Sequence, residues 1–369
     1  MSLRSHFAAS LQHHCRPARP FVLFNRQDSC SMLKIVMEMK ALVIEKPGTA
    51  KVQSVPVAPV GDHDIRIKVK VSGICGTDVH IFRGEYLGSY PVIPGHEFSG
   101  IVEEVGDKVT RLKVGDHVAV EPNISCDNCH SCLGNRQNFC ERWSAVGVTR
   151  PGGMAEFAVV PEKAAFNIGG LSFLSGAFVE PLSCVLHGVE RTPFKSADRV
   201  LIFGAGPIGI LLSKVIQLQG ACEITQVDLI KTRLELAKKN GANNVFTSFD
   251  ELKKNYFDVV VDATGSISVM EKTLDYVRKG GSVLLFGVPK RDAIMQLPAF
   301  TIFEKGLHLL SSFTSVRNSI QAVALLEQKV DISSLVSHQL PLESFERGVE
   351  IIEKGLDGVL KVVILPELR

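Results

Sequence analysis

The segment Gly204-Ala205-Gly206-Pro207-Ile208-Gly209 follows the apolar run Val200-Leu201-Ile202-Phe203 and leads into an apolar stretch reaching about Gln219. Glycines recur by chance, but between a buried strand and a helix these three demand a particular local structure. Gly204 makes the turn, Gly206 lets a pyrophosphate approach the backbone, and Gly209 lets helix and strand pack closely. The N–H groups opening the helix then face the phosphates. The alternation continues: Ile224 to Asp228, Phe257 to Asp262, Val283 to Phe286 and Leu307 to Leu310 read as strands, with helices over Thr232 to Asn240 and near Ser268 to Val277. Strands alternating with helices imply parallel pairing through right-handed crossovers, hence a doubly wound sheet. Asp228 ends the second strand, nineteen residues past Gly209. A carboxylate there accepts from both adenosine-ribose hydroxyls and repels a 2′-phosphate, which predicts NAD over NADP, with Arg233 near enough to soften the repulsion. The competing reading makes Asp228 a turn or cap residue.

The first half has a different period. Ile65-Arg66-Ile67-Lys68-Val69-Lys70-Val71 alternates apolar and charged residues, as a strand with one wet face does. Lys40 to Ile44, Ile101 to Val105, Val114 to Val120 and Phe157 to Val160 repeat the idea between Gly-Asp and Pro-Gly turns. The tail from about Asp331 returns to short strands and one helix, near Leu342 to Lys354, and is expected to rejoin this β-rich part. Residues 1–38 stand apart, with Arg4, Arg16, Arg19, Arg26, His6, His13 and His14 and no acidic residue before Asp28. They read equally as a transit-like leader or as an upstream start outside the folded protein, and are expected to be disordered. The expected organisation is a leader over 1–38, a β-rich domain over 39–185, a nucleotide-binding domain over 186–322 and a return over 323–369.

Two clusters have metal-ligand chemistry. Cys126-x2-Cys129-x2-Cys132-x7-Cys140 can close a thiolate tetrahedron around zinc. An iron–sulfur cluster is the rival, but the last gap is longer than the three-residue gap of bacterial ferredoxins. Being saturated, such a zinc fixes a loop and activates no substrate. Cys75, His96 and Glu97, with Glu180 downstream, offer sulfur, imidazole and carboxylate, a mixed set that suits zinc and leaves a position for a substrate oxygen. Each is ordinary alone, Cys75 as a buried hydrophobe and His96 as a core histidine. Gly73, Gly76, Gly95 and Gly100 bracket them where backbone turns sharply or meets something bulky.

Composition excludes several classes. A chain of 369 residues with 45% hydrophobic and 22% charged residues is of ordinary globular type, long enough for about two domains. A formal charge of +2 without like-charge runs argues against nucleic acid or a membrane surface as partner, and no apolar stretch reaches membrane-spanning length. Near-neutral charge also weighs against reading the cysteine loop as a nucleic-acid zinc knuckle. Cysteines in metal spacing, without a secretory signal, indicate a reducing compartment. That means the cytoplasm, or the mitochondrion if the leader is a transit peptide.

Gly95-His96-Glu97-x2-Gly100-x5-Gly106, the four-cysteine loop and the glycine turn occur in that order, and from about Met39 onward the chain resembles the zinc-containing medium-chain dehydrogenases. The resemblance implies a GroES-like catalytic domain plus a Rossmann domain, NAD as cofactor, two zinc ions per subunit (one catalytic, one structural), and a homo-oligomer, dimer or tetramer. Cys75-Gly76-Thr77-Asp78-Val79-His80 is similar to the family's first zinc ligand, relay hydroxyl and relay histidine. By that likeness Cys75, His96 and Glu97 hold zinc, and Thr77 and His80 pass a proton to solvent. Glu180-Pro181-Leu182 resembles the polyol and threonine dehydrogenase branch, so Glu180 is either a direct ligand or the holder of the zinc-bound water. Ile208, Asp228, Arg233, the turn Phe286-Gly287-Val288 and Ser312-Phe313 are expected to line the cofactor beside Gly204, Gly206 and Gly209. The run from Phe82 to Pro94 is similar to arabitol and sorbitol dehydrogenases, Gly147 to Gly152 to threonine dehydrogenases. The expected activity is oxidation of a secondary alcohol of a polyol to a ketose. Threonine or a vicinal diol is the alternative substrate, and a crystallin-like structural role the non-enzymatic one.

Overall fold

The computed structural model describes residues 37–85 and 88–368. The expectation for residues 1–36 lies outside the described residues. A hairpin of β1 (Glu38–Lys46) and β2 (Thr49–Pro56) precedes β3 (Asp64–Gly73), on which Ile65, Ile67 and Val69 are fully buried while Arg66 and Lys68 between them are not. The alternation read from the sequence is thus the register of a strand with one dry face. Each such side chain contributes ~1.5–3 kcal/mol by leaving water.

Helix α1 (Gly76–Arg83) follows directly, and β4 (Glu97–Val105) pairs antiparallel with β3 along its length. Next come β5 (His117–Val120), a small hairpin of β6 (Asn123–Ile124) and β7 (Ser144–Ala145), β8 (Phe157–Pro161) and β9 (Ala165–Asn167). Strand β5 is shorter than the expected Val114 to Val120, because Lys113 to Asp116 form a turn in which the Asp116 carboxylate accepts from the Lys113 amide and Gly115 takes a positive φ. The β6–β7 hairpin closes the base of a lobe holding all four clustered cysteines and the short helix α2 (His130–Leu133). Two further helices, α3 (Phe173–Ala177) and α4 (Val179–Arg191), lead out of this half.

The second half is a six-stranded parallel sheet of β10 (Arg199–Phe203), β11 (Glu223–Val227), β12 (Asn244–Phe246), β13 (Phe257–Asp262), β14 (Val277–Leu285) and β15 (His308–Ser311). Its spatial order, β12-β11-β10-β13-β14-β15, reverses direction beside β10, the strand that runs into the glycine turn. Ligands bind at such a switch point in doubly wound folds. Helices α5 (Pro207–Leu218) and α6 (Lys231–Lys239) start within a residue of expectation. The helix expected near Ser268 to Val277 is instead two single turns, α7 (Ile267–Met270) and α8 (Thr273–Tyr276). It stops there because Val277 already pairs with Phe257 as the first residue of β14, in a core shared with Leu274 and Tyr276. Helices α9 (Ala299–Lys305) and α10 (Ser319–Gln328) flank β15.

The chain then returns. Strand β16 (Val336–Leu340), helix α11 (Phe345–Lys354) and β17 (Lys361–Ile364) follow, and β17 inserts between β16 and β3 in the first half's sheet. Helix α4 spans the expected limit at 185; its buried Val185 and Val189 share one core with Leu211 and Val215 of α5 and Ala322 and Leu326 of α10.

A Cβ on Gly209 would run into the Gly204 carbonyl, so this helix and strand approach more closely than any side chain permits. Gly209→Ala is expected to destabilise the chain by about 1–3 kcal/mol, as overpacking does. Urea unfolding checks it, and an unchanged midpoint would mean the contact is looser than it looks.

Candidate metal and cofactor site

Cys75 ends the first crossing of the β sheet and caps α1, whose Asp78 carboxylate accepts from the Cys75 amide at 2.8 Å and from the Gly95 amide at 3.2 Å. Gly95 needs its positive φ, and a Cβ there would strike Ser72 and Met154. His96 and Glu97 follow as β4 begins, His96 5% and Glu97 1% exposed. One ligand atom each from Cys75, His96 and Glu97 lies within 4.8 Å of the others. Glu180, on the first turn of α4, does not come that close to all three; its Oε1 accepts from the Cys184 thiol at 3.2 Å. Gly73, like Gly95 and Gly100, has no room for a side chain, Glu97 and Lys361 occupying the space. Gly76, against expectation, has nothing near it; it is simply the first residue of α1.

The electrostatics call for a cation. Asp78 lies 3.4 Å from His96 Nδ1, and although burial opposes charge there, Asp78 and Cys75 hold the imidazole well above its ordinary pKa. Burial pushes the Glu180 carboxyl up to about 7, with Glu97 and Glu121 adding to the rise against His96. Among the described residues the one buried ammonium is Lys361 of β17, 6% exposed and in direct contact with Glu97. Burial works to strip its proton, but Glu97 and Cys75 hold it above the usual ammonium range. Cys75, Asp78, Glu97 and Glu180 outnumber the two basic groups, Lys361 and His96, and an ion that displaces the thiol and imidazole protons leaves an excess of negative charge. A divalent ion bound by sulfur, nitrogen and oxygen fits that excess and the donor set.

The four-cysteine lobe meets the same test. Cys126, Cys129, Cys132 and Cys140 each bring Sγ within 4.8 Å of the rest. The Asn128 amide helps pull the Cys126 thiol down to about 6, while burial pushes Cys132 up to about 12. Four sulfurs this close cannot all ionise without a cation between them. Backbone amides of Cys126 and Arg142 already point at Cys140 Sγ, the usual outer support of a zinc–thiolate site.

The remaining predicted residues gather at the carboxyl ends of the parallel strands: Gly204 after β10, Asp228 after β11, Gly287 and Val288 after β14, Ser312 and Phe313 after β15. Gly206 opens onto empty space, as a pyrophosphate cradle requires, and Ile208 is half-buried on the first turn of α5. Ser312 Oγ and Thr314 Oγ1 are buried without partners, a polar wall awaiting a polar ligand. Asp228 satisfies both readings made of it: Oδ2 accepts from Ala205 N–H at 2.8 Å and Oδ1 from Ile230 N–H at 2.9 Å. A carboxylate has about four acceptor positions, so capacity for ribose hydroxyls remains. Arg233 turns away, its Nε donating to the Val359 carbonyl at 3.0 Å. Thr77 is half-buried on α1, and His80 lies 2.9 Å from Glu85, whose other oxygen meets Lys290 at 3.5 Å. That pairing pulls the Glu85 carboxyl below its ordinary range.

Sequence reasoning missed four participants. Asp78 stood inside a quoted motif with no role, Lys361 was the lone charge in the apolar run Val359 to Leu365, and Cys184 lay one helical turn past Glu180. Glu121, 7% exposed, passed as an ordinary strand-end acid.

Comparison with known proteins agrees with this geometry. The alcohol dehydrogenase GroES-like domain family matches residues 61–170, and the zinc-binding dehydrogenase family matches residues 207–328. D-altritol 5-dehydrogenase of Agrobacterium fabrum is 37% identical over 82% of this chain and 93% of its own length. D-arabinitol dehydrogenase 1 of Uromyces fabae is 33% identical over 89% of this chain and 97% of its own. Among solved structures, a zinc-binding dehydrogenase of Sinorhizobium meliloti 1021 bound to NADP superposes with a TM-score of 0.85 at 32% identity, covering 89% of this chain and all of the other. With its motifs, its two sheets and both metal-type clusters in the family's order, the chain belongs to the zinc-binding alcohol dehydrogenases, oxidoreductases that act on alcohol donors.

Proposed function

We propose that this enzyme oxidises a secondary hydroxyl of a polyol to a ketone with NAD as acceptor. The observation that carries the reading is the incomplete donor set Cys75–His96–Glu97, which three protein groups leave open, beside the strand ends that cradle a dinucleotide. The likeness to altritol and arabinitol dehydrogenases supports the substrate class. When bound, zinc supplies Lewis acidity toward the substrate hydroxyl and NAD supplies the hydride acceptor.

Everything else is done by the chain. Cys75, His96 and Glu97 would hold the metal, with Asp78 beside His96 and Lys361 against Glu97 keeping them in place. Glu180, held by Cys184, would be the second carboxylate, replacing Glu97 or holding a water. The Thr77 hydroxyl, two residues from Cys75, both accepts and donates, so it takes the substrate proton and hands it to His80. Glu85 occupies His80 Nδ1, leaving Nε2 to receive and release protons. Gly204, Gly206 and Gly209 seat the pyrophosphate, Asp228 the ribose, and Gly287, Val288, Ser312 and Phe313 the nicotinamide, with Ile208 packing against the cofactor and Arg233 left as a minor neighbour.

The same reading sets domain limits at 39–185, 186–322 and 323–369, supported by β17 joining the first sheet. It puts the enzyme in a reducing compartment, the cytoplasm or the mitochondrial matrix, supported by the seven free cysteines among the described residues. No described helix is long and apolar enough to cross a membrane. It also makes the enzyme a homo-oligomer. Strand β15 is an unpaired sheet edge, and α9 beside it exposes Phe300 by 72% and Phe303 by 81%.

A panel of sugar alcohols, threonine and vicinal diols, assayed with NAD and with NADP before and after chelation, is expected to give the highest kcat/KM with a polyol and NAD, and none after chelation. Cys75→Ser should lower zinc per subunit from two to one and abolish turnover; full metal content with normal rates would refute the site. Asp228→Ser should erode the NAD preference and, by freeing the Ala205 amide, weaken NADH binding as well; an unaltered NAD to NADP ratio would remove Asp228 from that role. Phe300→Glu with Phe303→Glu should convert the oligomer to a monomer in light scattering. A wild-type chain that runs as a monomer would end the oligomer proposal.

A further inference from the structure

We propose that the four-cysteine lobe is a positioning element for the nicotinamide wall, acting through Asn138, Phe139 and Glu121 on the segment Ser312 to Ser319. The proposal rests on the reading above that Ser312 and Phe313 line the cofactor. On that reading alone the lobe would merely fold, and nothing would join it to the reaction.

The structure joins them at every layer. Asn138, 3% exposed in the lobe, donates from Nδ2 to the Phe313 carbonyl at 2.8 Å. The Phe313 ring stacks on Phe139, centroids 6.0 Å apart and planes 20° apart, and packs against Trp143 at 6.2 Å. At the lobe's base, Trp143 Nε1 donates to Asn123 Oδ1 at 3.0 Å, and Asn123 Nδ2 donates to Glu121 Oε1. The other oxygen of Glu121 accepts from Ser315 at 2.7 Å and from Ser319 at 2.9 Å, with a longer approach from Ser183, whose hydroxyl also meets the Glu180 carbonyl. Glu121 therefore spends one oxygen on the lobe and one on the segment, and the path Phe313–Trp143–Asn123–Glu121–Ser315 closes on itself.

The segment needs such fastening. Thr314 and Arg317 both hold a positive φ, which non-glycine residues adopt at a cost and keep only where their surroundings enforce it. Ser312 and Thr314 meanwhile keep buried hydroxyls without partners, so they are not what holds the wall in place. Charge-assisted bonds to a buried carboxylate are the stronger kind, and here they come from side chains one to several residues beyond the cofactor wall. Zinc bound by Cys132 and Cys140 would fix Asn138 and Phe139 between them, and so set where Phe313 stands.

The test uses the full-length, zinc-loaded enzyme and NADH as the probe. Asn138→Ala and Phe139→Ala are compared with Leu133→Ala, a lobe residue 74% exposed. Calorimetric titration gives the NADH Kd, metal analysis the zinc content, thermal unfolding the fold, and emission of Trp143, the only tryptophan in the chain, the state of the lobe. Expected is a three- to tenfold weaker NADH Kd in the first two variants, about what one lost hydrogen bond or stacked ring yields. The KM for NAD should rise by the same factor, with the alcohol KM, both zinc ions and the melting temperature retained. An unchanged Kd in folded, zinc-replete Asn138→Ala and Phe139→Ala overturns the proposal, and so does an equal loss in Leu133→Ala, which would reduce the effect to general loosening of the lobe. If Asn138→Ala loses zinc, Phe139→Ala at the exposed face decides alone. Wild-type enzyme that binds no NADH would instead sink the cofactor reading on which this one stands.

Discussion

A buried ammonium pressed against a buried carboxylate, Lys361 on Glu97, is the constraint the rest of the molecule satisfies. The two residues come from opposite ends of the folded chain, β4 near its start and β17 at its finish. Truncating either partner leaves a charge in the interior with nothing to answer it, a far larger cost than the net worth of the intact pair. The chain must therefore complete the second sheet and return before the first is electrostatically whole. Gly73 is the accommodation for this pair, since any Cβ there would occupy the room taken by Glu97 and Lys361.

From that pair outward the site is layered by charge. Asp78 fixes α1 by accepting from the Cys75 and Gly95 amides, and so sets Cys75 and His96 relative to each other with one carboxylate. Glu180 arrives on α4, the helix that leads out of the first half and packs both on its strands β4 and β5 and on α5 and α10 of the second.

What was legible in the sequence follows from how local each signal is. The strand Ile65 to Val71 declared its register because alternation is a property of neighbouring residues, and the quartet Cys126 to Cys140 declared a metal because its spacing is short. The glycine turn was legible because Gly209 answers to a carbonyl five residues away. Lys361 was not, since its partner lies 264 positions earlier and a lone lysine in an apolar strand looks like a wet edge. Glu121 was hidden similarly, its serine partners lying far along the chain. The helix over Ser268 to Val277 failed for the converse reason: a helical period continued on paper past the point where Val277 is claimed by its neighbour Phe257 in the sheet. Sequence reading picked out the residues whose own chemistry marks them as candidate ligands, and missed those packed behind them.

The distribution of buried acids makes the same point about function. Glu97, Glu121 and Glu180 are all nearly inaccessible, yet each answers to a different kind of partner: an ammonium and a metal-type cluster, a set of hydroxyls and an amide, and a thiol. Glu121 is tied down by several elements of the fold and Glu97 by a charged partner. Glu180 has a single weak donor in Cys184 and a carboxyl that burial pushes toward neutrality, so it is the one acid here whose position is cheap to change. On the proposed reading, an enzyme that takes up and releases a ligand at an ion in each cycle needs one such group beside several that do not move, and Glu180 is the residue at the N-terminal turn of the helix linking the two halves that fits it.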